Sequence, residues 1–99
     1  MKLLIENFKK YLNEEKGNTL KVTALSMFGK FRGDAHLINN ETGEIIAAHK
    51  AKDVKELATM ASGLLQQNVT VALIGGESVE PDPAVVSDYI LKNCEKGCQ

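Results

Sequence analysis

Two adjacent stretches decide the fold: DVKELATMASGLL, residues 53–65, and VTVALI, residues 69–74. The first reads as a helix. Val54, Leu57, Ala58, Ala61, Leu64 and Leu65 keep the i, i+3, i+4, i+7 spacing that puts apolar side chains on one helical face. Asp53, with Glu56 three residues on, is a capping-box pattern with Asp in the place of Ser or Thr; its carboxylate can accept from the free amides of the first turn. Ala58, Ala61, Ser62 and Gly63 keep the helix thin, which suits close packing on a sheet. The second stretch has almost no polar interruption and reads as a strand inside a sheet. A helix followed at once by a buried strand implies helices and sheet packed as layers.

Working outward, residues 19–28 change period. Leu20, Val22 and Ala24 alternate with Lys21 and Thr23, the mark of a strand with one buried face. Gly29-Lys30 reads as a turn and Phe31 to Asn39 as a second strand. The run Asn39-Asn40-Glu41-Thr42-Gly43 carries a strong turn signal, and Glu44 to Ala48 reads as a third strand. The simplest pairing of the three is an antiparallel meander. Upstream, Leu4, Phe8, Tyr11 and Leu12 predict a helix over residues 2–16, stopped at Gly17. Downstream, Gly75-Gly76 ends the strand and a loop follows. Asp82-Pro83 then opens a helix, with Val85, Val86, Tyr89 and Ile90 toward the core, fraying over residues 94–99. The expectation is one domain over residues 1–99. Its fold is a two-layer α+β arrangement of α-β-β-β-α-β-α order, with a mostly antiparallel four-stranded sheet and helices packed on one face.

Composition narrows the function classes. The chain has 99 residues, 43% hydrophobic and 25% charged, with 12 basic and 13 acidic residues and a net charge of −1. Arg32 is the single arginine. Arginine is the preferred residue for bidentate phosphate and base contacts, so nucleic acid is not an expected partner. No run is long and apolar enough to span a membrane. The polar residues Glu6, Asn7, Lys9 and Lys10 interrupt any signal-like start. A cytoplasmic location is therefore expected. A chain this short buries only about 60% of its unfolded surface, and self-association would relieve that thin core.

Four features could carry chemistry or binding. Cys94 and Cys98, with His36 and His49, have the donor types of a Cys2His2 zinc set. Neither histidine has a partner at ligand spacing, however, so no metal or cofactor is expected. The cysteines are read as incidental tail thiols, with a disulfide geometrically open to them. His49, at a strand end, could act as a base only with a nucleophile or substrate beside it. Gly75-Gly76, after a strand, could let a ligand approach the backbone, and His49 with Gly75 and Gly76 forms the candidate ligand site. Glu77, Glu80 and Asp82 line the same loop and would attract a cation or a basic partner rather than a phosphate. Leu25, Met27, Phe28 and Phe31 make a hairpin tip more apolar than a one-sided sheet needs, which suits either a partner surface or a core under the helix expected over residues 2–16. The tip and the acidic loop are the expected partner-binding residues. The expected function is a protein-binding or regulatory module, homo-oligomeric, with a small enzyme or ligand binder as the alternative.

Two resemblances add expectations. Residues 33–47 followed by residues 53–65 resemble the strand–turn–strand–helix core of roadblock-type, profilin-like domains, which are small dimeric scaffolds and regulators of GTPases. That resemblance implies three strands after the helix, where this sequence shows one. Leu73-Ile74-Gly75-Gly76 before a final helix, with Ala48-His49 after a strand, is similar to the chemotaxis receptor deamidases. Their chemistry implies a cysteine nucleophile where this chain has Ser26-Met27.

Overall fold

A computed structural model describes residues 17–98. The helix expected over residues 2–16 lies outside them. The described chain runs β1 (Asn18–Met27), β2 (Lys30–Asn39), β3 (Ile45–Ala51), α1 (Val54–Leu64), β4 (Val69–Ile74), β5 (Glu77–Val79) and α2 (Pro83–Asn93). The strands form one sheet in the order β3-β2-β1-β4-β5. The architecture is α+β, with two helices among the described residues.

The expected sheet needs two corrections. It has five strands, not four, and it is mixed, because β1 and β4 run parallel. The parallel pair follows from the connections. β1, β2 and β3 form the antiparallel meander, so β3 points the same way as β1. Helix α1 carries the chain back, as parallel connections require. β4 then enters on the open side of β1. The extra strand comes from Gly75 and Gly76, which adopt φ of 60° and 84°. Two left-handed residues make the tight turn that suits a two-residue hairpin, and β5 pairs back on β4 from Ile74↔Glu77 to Ala72↔Val79.

The first turn also moves by one residue. It is Phe28-Gly29, with φ of 54° and 75°, between paired Met27 and Lys30.

Cross-strand partners share a face, so the register fixes the core. Leu20 pairs with Leu37, Val22 with Ala35 and Ala24 with Gly33. Of these, all but Gly33 are fully buried apolar side chains, joined by Ala51, Ala72 and Ile74. Helix α1 adds Leu57, Ala58, Ala61 and Leu64, and α2 adds Val86 and Ile90. At one end the row Ala24–Gly33–Ala51 is built of small residues. A Cβ at Gly33 would stand 2.9 Å from Leu57 Cδ2. The absent side chain is what lets α1 lie this close to β2.

Both helix starts form as their sequences imply. Asp53 accepts from the Glu56 amide at 2.7 Å. Asp82 accepts from the Ala84 amide at 2.9 Å, with Pro83 opening the helix. Val85, expected in the core, is 40% exposed instead. Val86, Ile90 and Cys94 keep the four-residue step that faces the core, with Tyr89 packed beside it, and Val85 falls to the side.

Candidate functional site

The β1–β2 hairpin outruns its neighbours. β3 reaches only Gly33 along β2, and β4 reaches only Val22 along β1. Residues 25–32 therefore project as a two-stranded ribbon. Alternation places Leu25 and Met27 on the face away from the helices, 41% and 56% exposed. Phe28, in the turn itself, is 94% exposed. Phe31 differs from these three. It lies on the inner face, in line with Gly33 and Ala35, and packs on the edge of the core. The structure thus brings Leu25, Met27 and Phe28 together at an exposed tip and gives Phe31 a structural share.

Phe28 occupies a left-handed backbone position. That region costs a residue with a side chain about 1–2 kcal/mol, and asparagine or glycine usually fills it. Here a large apolar side chain sits in it and points into solvent.

Beside the tip a groove of about 570 Å³ runs to the start of α1. Leu25, Met27, Phe31 and Ala51 supply its apolar wall, and Lys30, Arg32, Lys50 and Lys52 its charged rim. Among the described residues, Glu56 is the one acidic residue lining it. Arg32 also faces Asp34 across 3.8 Å; the arginine is exposed and the aspartate half-buried, and a pair this long and solvated has small energetic weight.

The acidic residues sit elsewhere. Glu77 lies on β5, at the opposite edge of the sheet from β3. Glu77 and Glu80 are exposed. Asp82 is the N-cap of α2, so its carboxylate already serves the helix amides. The tip and the acidic group are two separate surfaces, with β4 between β5 and β1.

His49 and the Gly75-Gly76 turn do not meet. His49 pairs with Ala35, Ala35 with Val22, and Val22 with Ile74. They share a row, but three strand spacings, about 14 Å, separate them. The Gly75 amide donates to the Val22 carbonyl at 2.9 Å, so it is already used by the sheet. Ser26 is two strands from His49 and several residues further along, about 16 Å by the same spacings. No nucleophile–base pair forms between them.

The cysteines are joined to each other as a disulfide, which replaces the reading of two incidental tail thiols. Cys94 is wholly buried in the core. The stretch read as a fraying end returns to the sheet: the Ala24 amide donates to the Cys98 carbonyl at 2.6 Å, and the Cys98 amide to the Ala24 carbonyl at 2.8 Å. Among the described residues no group of three or more His, Cys, Asp or Glu side chains converges to hold a metal. No described helix is long and apolar enough to cross a membrane.

The strand–turn–strand–helix order of the roadblock-type resemblance is present in β2, β3 and α1, and two strands rather than one follow the helix. Compared with known proteins as a whole, the chain matches no family model, no curated protein and no solved structure.

Proposed function

We propose that this protein is a non-enzymatic binding module that associates with a second copy of itself through the β1–β2 hairpin tip. One observation carries the reading. Phe28 is 94% exposed at φ 54°, next to exposed Met27 and Leu25. In an isolated monomer that residue costs backbone energy and leaves a large apolar surface in water. Burial against another surface offsets both, since about 25 cal/mol is gained per Å² of apolar area removed from water. The two-stranded arm gives the tip reach, because neither β3 nor β4 flanks it.

An amide chemical-shift series against protein concentration tests this. Shifts confined to residues 25–32 as concentration rises are the expected result. Shifts absent there, or centred on β5, would overturn it.

A further inference from the structure

We infer that the Cys94–Cys98 disulfide is a redox-controlled latch that holds the C-terminal segment over an otherwise open edge of β1. The sheet explains why a cover is needed. β4 pairs with β1 only as far as Val22, and the chain turns away at Gly75. Among the described residues, no strand neighbours that side of β1 from Ala24 onward. Cys98 fills the gap with one pair of backbone hydrogen bonds to Ala24. Gly97 comes close to the same edge: a Cβ there would stand 3.4 Å from the Ala24 carbonyl oxygen, and its φ of 109° suits glycine alone.

The two cysteines are unequally covered. Cys94 is fully buried behind the end of α2, while Cys98 is only partly buried. A thiolate from outside therefore reaches the Cys98 sulfur first. Attack forms a mixed disulfide at Cys98 and breaks the S–S bond. Cys94 leaves as a thiolate and takes a proton, since the apolar core disfavours its charge. The reductant is a dithiol of the thioredoxin class, and its second thiol resolves the mixed disulfide and releases the Cys98 thiol. Two electrons and two protons pass to the protein, and the dithiol becomes a disulfide. Oxidation reverses each step.

Reduction leaves the tail held to β1 by the two Ala24–Cys98 backbone hydrogen bonds, with the Gly97 amide donating to the Cys94 carbonyl at 3.0 Å and the Cys98 side chain partly buried. A bridge across a sequence separation of four restrains a short loop, and its loss shifts a docking equilibrium by about tenfold to thirtyfold. The released state presents the amide and carbonyl of Ala24 as a free strand edge, directly behind the hairpin tip.

Amide hydrogen exchange on the full chain tests the latch, with and without a thioredoxin-class dithiol. The Ala24 and Cys98 amides are expected to exchange about tenfold or more faster after reduction, while the Ala61 amide within α1 keeps its rate. Cys98→Ser, which leaves the buried Cys94 in place, is expected to match the reduced protein under oxidising conditions. Ala24 protection unchanged by reduction, or by Cys98→Ser, overturns the proposal. Equal acceleration at Ala24 and Ala61 also overturns it, because the disulfide would then support the whole fold rather than a local latch. Gly97→Val provides a second check. It should speed exchange at Ala24 with the disulfide intact, and an unchanged rate counts against docking through this edge.

Discussion

Phe28 projects from the hairpin turn beside Gly29, both with left-handed backbone angles, 54° and 75°. The pair forms a two-residue turn whose twist suits the strands it joins. Glycine meets that demand without cost and phenylalanine does not. The mismatch between backbone and side chain is the reason to seek the protein's function at this end of the sheet.

Replacing Phe28 with a residue made for the turn should separate stability from association. Phe28→Asn is expected to raise the stability of the monomer by about 1 kcal/mol, because asparagine tolerates the left-handed region. The same variant should weaken self-association. Urea unfolding at a concentration where both proteins are monomeric reads the first effect.

The close approach of α1 to β2 makes a second prediction. Gly33→Val places methyl groups against the fully buried Leu57 and should cost about 1–3 kcal/mol by overpacking. Leu57→Ala alone should cost about 2–5 kcal/mol through the cavity it leaves. The double variant should lose less than the sum, because each change makes room for the other. A double-mutant cycle from denaturation midpoints measures the coupling.

Asp82 provides a third. Its carboxylate caps α2 through the Ala84 and Val85 amides, at 2.9 and 3.4 Å. Asp82→Ala should cost about 1 kcal/mol. Glu80→Ala, two residues upstream and with its carboxylate outside the cap, should stay within about 0.5 kcal/mol of the parent. The contrast in thermal midpoint separates a structural carboxylate from a solvated one.

A fourth concerns His49. It is exposed at the β3 edge and about three strand spacings from the Gly75-Gly76 turn. His49→Ala should leave both stability and self-association unchanged. A marked loss of either would show that His49 belongs to a site with partners outside the described residues.

Much of this organisation is legible in the residues themselves. The apolar stripe from Val54 to Leu65 marks α1, Asp53 and Asp82 mark both helix starts, and alternation over Leu20, Val22 and Ala24 marks the buried face of β1. The apolar character of the tip is legible too, since Leu25, Met27 and Phe28 make the strand end apolar on both faces, but its exposure is not, because the same residues would suit a core. Strand order is not. Nothing along the chain says that β4 will pair beside β1, because that depends on which edge remains open after the meander forms. β5 did carry a signal: Gly75-Gly76 between Ile74 and Glu77 is a hairpin dipeptide as well as a strand end. Its three residues are too short to show alternation. The return of Cys98 to Ala24 leaves no mark in sequence, since one bridge pair has no periodicity and the gap it fills exists only in the folded sheet.

The central claim is association through the hairpin tip, and sedimentation of the pure protein over a range of micromolar concentrations tests it most directly. The parent protein should sediment faster as concentration rises, while Phe28→Asp, with an unchanged circular dichroism spectrum, stays a monomer throughout. A parent protein that remains monomeric at every concentration, or an assembly that survives Phe28→Asp intact, would contradict the account.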